Sequence, residues 1–346
     1  MLDQGGHVTR HDENSGLGGP GPSSTGPSTA ELAARRRLLK AAVFSPADRP
    51  DQIPAADRAA AQSRVLAGTV LDASPHVLTI IRAGREERLA LMPDTKAWRG
   101  GPADLTAVGA GDRVVLRLHP SRRGVAARVW ANIGRVTGVI VERDREGVVV
   151  DAGKAKGRQV IVIPRHAESR IQVRFPRLEP GYLIDVIGLR RGGIIEGLIP
   201  ATSQPAYRAD QVPRRSPAGG RPMARIGGSA TWHEPAGEPD DAEGVSYPVL
   251  DQDMGGDEEP IPRLGCVPMP YLSIGSLLEV RNECTGDSRV LPVTGCAAVT
   301  RLFSDRCVTC GTSPRGRVAD LALASFVELG GDLERGCFNA TIVTGQ

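Results

Sequence analysis

The chain has 346 residues, 40% of them hydrophobic, with 43 basic and 40 acidic residues and a formal net charge of +3. Such a length and apolar content imply two or three small domains with ordinary buried cores, and the near-balanced charge lacks the concentrated basic field that dominates nucleic-acid binding. No nucleic-acid partner is expected, and since Lys40, Lys96, Lys154 and Lys156 are the only lysines, the arginine-rich basic set reads as coding bias rather than phosphate recognition.

Residues 1–60 are rich in Gly, Ser, Pro, Asp and Arg. They cannot bury enough apolar surface to offset the entropy of ordering, so a disordered arm is expected. A short solvated helix is expected at 30–43, where Ala, Leu and Arg are good helix formers. Arg35-Arg36-Arg37-Leu38-Leu39-Lys40 resembles the charged part of a twin-arginine export signal, but Ala41-Ala42-Val43-Phe44 runs at once into Ser45-Pro46. That is too short for the apolar region of a signal peptide. No other stretch is long enough to span a bilayer as a helix.

From Arg64 to Ser203 the pattern changes to short β-branched runs punctuated by Gly and Pro, the pattern of an all-β region. The region also repeats. Gly68-Thr69-Val70 returns as Gly138-Val139-Ile140, and Leu78-Thr79-Ile80 as Val148-Val149-Val150. Leu89-Ala90-Leu91 with Pro93 returns as Ile161-Val162-Ile163 with Pro164, Gly111 to Leu116 as Gly181 to Val186, and Gly124-Val125-Ala126 as Gly193-Ile194-Ile195. A spacing of about 70 residues held across these landmarks predicts two tandem small β-barrels, 61–133 and 134–203, each of about five strands and similar to OB-like modules. His76, His119 and His166 are isolated, and each is expected at the surface. Residues 204–224, rich in Pro, Gly and Arg, read as a linker.

All six cysteines, Cys266, Cys284, Cys296, Cys307, Cys310 and Cys337, fall in the last third. That clustering predicts a disulfide-stapled module in an oxidising compartment, with the pairing left open among fifteen possibilities. The competing reading is a zinc site made by Cys296, Cys307, Cys310 and Cys337.

Residues 225–346 carry a family resemblance. Gly228-Ser229-Ala230-Thr231-Trp232-His233 resembles the opening strand of the double-psi β-barrel of rare lipoprotein A. Ser273 to Asn282, followed by Thr285-Gly286-Asp287-Ser288, resembles a later strand and turn of that family. Asp305-Arg306-Cys307-Val308-Thr309-Cys310-Gly311, with Val318-Ala319-Asp320-Leu321 through Gly330, resembles a stretch of expansin-like and barwin-like members. The composition alone places strands at 277–280, 290–293 and 340–343, and a helix over 319–329 stopped by Gly330-Gly331. The expected fold is therefore all-β: a disordered arm, two OB-like modules, then a six-stranded double-psi barrel with one short helix.

The resemblance implies a cell-envelope protein whose last barrel binds peptidoglycan or a related polysaccharide, the β repeats serving as spacer or adaptor to an envelope protein partner. It implies Asp305 as a groove carboxylate able to protonate a glycosidic oxygen, with Glu238 as its possible companion, since such work needs a carboxyl of raised pKa and usually a second acid across the sugar. Trp232, His233, Arg306 and Asp320 are candidate substrate contacts; Trp232 also reads as a core aromatic, and Asp320 as a cap for the helix after it. Lytic transglycosylase-like cleavage and a non-catalytic protein-interaction role are the alternatives. No metal or cofactor is expected. The expected location is extracytoplasmic or the cell envelope, with the cytoplasm as the alternative if the thiols are reduced.

Overall fold

The computed structural model describes residues 64–145, 147–154, 156–202, 208–211, 225–234, 242–250, 269–304, 306–314 and 316–344. The expected arm and its 30–43 helix lie outside the described residues, as do Glu238, Cys266, Asp305 and most of the expected linker.

The fold is all-β, built from small closed barrels. The first module contains β1 (Val65–Ala73), β2 (Val77–Arg82), β3 (Arg85–Trp98), the short β4 (Pro102–Ala103), β5 (Arg113–Leu118) and β6 (Val125–Ala131). Its strands run in the order β2-β1-β5-β6-β3-β4, and a further β2–β3 pairing closes the ring. The second contains β7 (Ile133–Arg143), β8 (Val148–Asp151), β9 (Arg158–Val162), β10 (Leu183–Arg191) and β11 (Ile194–Pro200), closed in the order β10-β11-β9-β8-β7. The two rings match strand for strand, including one parallel pair each, β3 with β6 and β9 with β11. Every sequence landmark of the repeat falls on equivalent strands. Even the glycines correspond: a Cβ on Gly68 would stand 2.6 Å from the Ile81 carbonyl oxygen, and one on Gly138 2.1 Å from that of Asp151. In both copies the first strand then shifts register against the second, between Val70 and Asp72 and between Ile140 and Glu142. A bulge at that point bends the strand, and only Gly admits the partner backbone so closely. The second copy inserts a helix, α1 (Arg165–Gln172), that buries Ala167 and Ile171 one turn apart.

The third barrel contains β12 (Arg225–His233), β13 (Val245–Tyr247), β14 (Leu277–Asn282), β15 (Ser288–Cys296), β16 (Arg317–Ala322) and β17 (Cys337–Thr344), with helix α2 (Leu323–Glu328) after β16. The ring order is β12-β16-β13-β15-β14-β17. Strand β12 is parallel to β16 and β13 to β15, while the other neighbours are antiparallel. Exchanging β12, β13 and β14 for β15, β16 and β17 leaves this ring unchanged, so the barrel has an internal two-fold connectivity.

One expectation is corrected here. The helix predicted over 319–329 begins only at Leu323, because Arg317–Ala322 forms β16, buried along its whole length. A strand covered on both sides reads as a continuous apolar run, which periodicity alone cannot separate from a helix. Asp320 therefore caps nothing; the residue before α2 is Ala322, which makes no side-chain cap bond. The strand expected at 290–293 lies within β15.

The two modules and the third barrel pack as one body rather than as a barrel on a separate spacer. Between β6 and β7 stands a single residue, Asn132, whose φ of 50° is left-handed. Asn tolerates that region better than most residues, and its side chain is pinned by the Arg113 amide at 2.9 Å and Asp112 at 2.6 Å. An apolar cluster runs from Trp98 and Trp130 through Ile184 and Ile187 to Trp232, Phe326 and Phe338.

Charged contacts reinforce the same junctions. Arg117 donates to Asp332 at 2.8 Å, Arg128 pairs with Glu334, and the Trp130 indole donates to Glu334 at 2.5 Å. Glu234 is held by Arg113 of the first module, at 3.2 Å, and by Arg190 of the second.

Candidate functional site

The most concentrated polar chemistry of the third barrel lies on a row across three adjacent strands. Thr231 of β12 is in register with Asp320 of β16, which is in register with Ser246 of β13. Side chains at paired positions share a face, and so do residues two apart along a strand. His233 therefore joins this face while Trp232 takes the opposite one. The Thr231 hydroxyl donates to Asp320 Oδ1 at 2.8 Å. His233 Nδ1 stands 3.4 Å from Asp320 Oδ2, and its other ring nitrogen, Nε2, is 3.4 Å from Ser246 Oγ. Asp320 and His233 are buried, Thr231 wholly so, and Ser246 is half-buried.

The electrostatics follow from this arrangement. Burial alone would raise the Asp320 carboxyl, but the adjacent His233, by charge and hydrogen bond, and the charges of Lys156 and Arg135 hold it well below the usual carboxylate range. Lys156, from the loop between β8 and β9, is pushed down by burial, an effect opposed by Asp320 and Glu234. The second module thus contributes a cation to the surroundings of a third-barrel carboxylate. An ionised Asp320 is unsuited to donating a proton and well suited to orienting an imidazole or accepting hydrogen bonds.

Of the residues expected to touch a ligand, His233 and Asp320 are brought together and Arg306 is exposed. Trp232 is wholly buried, its indole donating to the Leu333 carbonyl at 2.9 Å and its ring covered by the Arg135 guanidinium 5.6 Å from the centroid. No face of that ring is open to a sugar. The reading of Trp232 as a substrate contact is replaced by its reading as a core aromatic.

Among the cysteines, Cys284 and Cys310 form a disulfide that ties the turn after β14 to the segment before β16. Cys310 is thereby removed from the four-thiolate zinc set. Buried Cys307 and Cys337 bring their sulfurs to 2.7 Å, and Cys296 is exposed at the end of β15. Among the described residues no group of three or more His, Cys, Asp or Glu is placed to hold a metal ion, and no helix is long and apolar enough to cross a membrane.

Sequence reasoning passed over Ser246, Thr231 and Lys156. Ser246 sits in a strand of three residues, too short to show a period. Its link to His233 and Asp320 exists only through the strand order.

No family model matches the chain, and no curated protein matches it. Among solved structures, it is similar to a multidomain protein with nucleic acid binding domains from Streptococcus pneumoniae, at 15% identity and a TM-score of 0.14, over 59% of this chain and 66% of that one. A likeness of that score carries no argument about fold or function.

Proposed function

We propose that this is a cell-envelope protein whose third barrel, of the double-psi type, binds peptidoglycan or a related polysaccharide at the half-buried Ser246, backed by the buried His233, Asp320 and Thr231. The observation that carries this reading is the convergence of an imidazole, a carboxylate and two hydroxyls on one row of β12, β16 and β13. Such a set offers alternating donors and acceptors matched to sugar hydroxyls, and the polar groups are oriented by one another before any ligand arrives. The resemblance of Gly228–His233 and of the Asp305–Gly311 stretch to wall-associated barrels supports the same reading, as does the two-fold connectivity of the ring. Arg306, another expected contact, is exposed. The disulfide Cys284–Cys310 agrees with an oxidising location.

Pelleting with purified cell-wall sacculi tests the proposal. The wild-type chain is expected to sediment with them, and Asp320→Asn to lose at least about tenfold in apparent affinity, the loss expected when a charged hydrogen-bonding partner is removed. A wild-type chain that stays in the supernatant overturns the reading. Release of soluble muropeptides that vanishes in Asp305→Asn would shift the role from binding to cleavage.

A further inference from the structure

We propose that Ser246, His233 and Asp320 form a nucleophile–base–orienter triad that cleaves short O-acyl esters. The three side chains follow one another in the order such chemistry needs: hydroxyl, imidazole Nε2, imidazole Nδ1, carboxylate, with both links at 3.4 Å. Those links are long, as catalytic contacts often are before substrate binds. The other oxygen of Asp320 is taken by Thr231 at 2.8 Å, which leaves Oδ2 as the oxygen facing His233 Nδ1, a buried ring nitrogen with no hydrogen bond yet formed among the described residues. Ser246 is only half-buried, unlike the two groups behind it. A Cβ on Gly295 would lie 3.2 Å from Ser246 Oγ, so glycine there leaves the hydroxyl uncrowded on that side.

In the step itself, Ser246 Oγ bonds to the carbonyl carbon as its proton passes to His233 Nε2. The C–O bond to the alcohol then breaks and the departing oxygen takes that proton. Water repeats the sequence, its oxygen bonding to the acyl carbon and its proton passing through His233 to Ser246 Oγ, which releases a carboxylic acid and restores the enzyme. An ester is the fitting substrate because an alkoxide leaves with less help than an amine anion, and the links here are loose. That the ester is carried by a glycan rests on the reading above; the triad itself does not.

The test uses the full chain and an aryl fluorophosphonate, which modifies activated serines. One adduct is expected on Ser246 by peptide mapping, with a labelling rate that falls at least about 100-fold in His233→Gln. Hydrolysis of p-nitrophenyl acetate is expected to fall in parallel in His233→Gln and to vanish in Ser246→Ala. No adduct on Ser246 in the wild-type chain, or a rate indifferent to His233→Gln, overturns the triad. Because the wild-type result is decisive alone and needs no sacculi, the triad can fail while glycan binding stands.

Discussion

Two buried aspartates of this molecule share charged neighbours, Arg135 and Lys156, and differ in where their contacts lead. Asp185 of β10 is fully buried at the junction of the second and third barrels. Its carboxylate accepts from Arg135 Nε at 2.8 Å and Nη2 at 2.7 Å, from the Thr137 and Thr202 hydroxyls at 2.9 Å each, and from Arg317. Arg135 continues to the carbonyls of Trp232 and Gly336, at 2.9 and 2.8 Å. The bonds from Arg317 to Asp185 and from Arg135 to Trp232 and Gly336 cross the junction, and the rest of the network braces Asp185 within its own barrel. Asp320 is also buried, though less completely, and its neighbour His233 turns its remaining nitrogen toward a half-buried serine. A buried charge is therefore not by itself the mark of a site; what distinguishes the two is whether a chain of bonds closes on itself or ends at a reactive group.

The comparison breaks most sharply at Asp185. Asp185→Ala leaves two guanidinium groups buried without their counter-ion, and equilibrium unfolding in urea is expected to show a loss of about 3–5 kcal/mol. A loss below about 1 kcal/mol would remove the distinction between the two sites. Next in size is Cys284→Ser. Opening a loop of sequence separation 26 is expected to cost about 3.5 kcal/mol on the chain-entropy account, read as a lowered urea midpoint.

Acid sharpens the contrast further. Burial raises Asp185, but the charges of Arg135 and Arg317 and the bonds from Arg135 and Thr137 outweigh it and lower the carboxyl to about 2. A folded value below the unfolded one means stabilisation that is complete above about pH 5 and fades as pH falls toward 2, about 2 kcal/mol in all. In Asp185→Asn that part of the pH dependence is expected to disappear, while the part due to Asp320, of the same sign, remains. The smallest effect belongs to Thr231→Val, which removes one hydrogen bond to Asp320 and is expected to cost about 1–2 kcal/mol in unfolding experiments.

The repeat was legible because both copies need glycine where the first strand crosses the second, as at Gly68 and Gly138, and because β-branched runs mark the same strands in each. The third barrel was legible in its strands at 277–280, 290–293 and 340–343, and in the pairing of residue types at Thr231-Trp232-His233. The strand character of 317–322 was hidden by its burial on every side. The inter-barrel network was hidden for another reason: Arg135, Asp185 and Arg317 lie on three strands far apart in the chain, and an arginine-rich sequence offers no sign of which guanidinium is buried. Of the site, the sequence pointed to His233 and Asp320 singly, but nothing in their spacing shows that the strand of Ser246 lies beside that of Asp320.

Binding to sacculi measured side by side with unfolding for His233→Ala and Arg317→Ala tests the central claim most directly. The row on β12, β16 and β13 predicts that His233→Ala loses at least about tenfold in affinity while its urea midpoint stays near that of the wild type, and that Arg317→Ala lowers the midpoint yet binds normally wherever it is folded. Wild-type affinity in His233→Ala, with the loss appearing in Arg317→Ala instead, would contradict it.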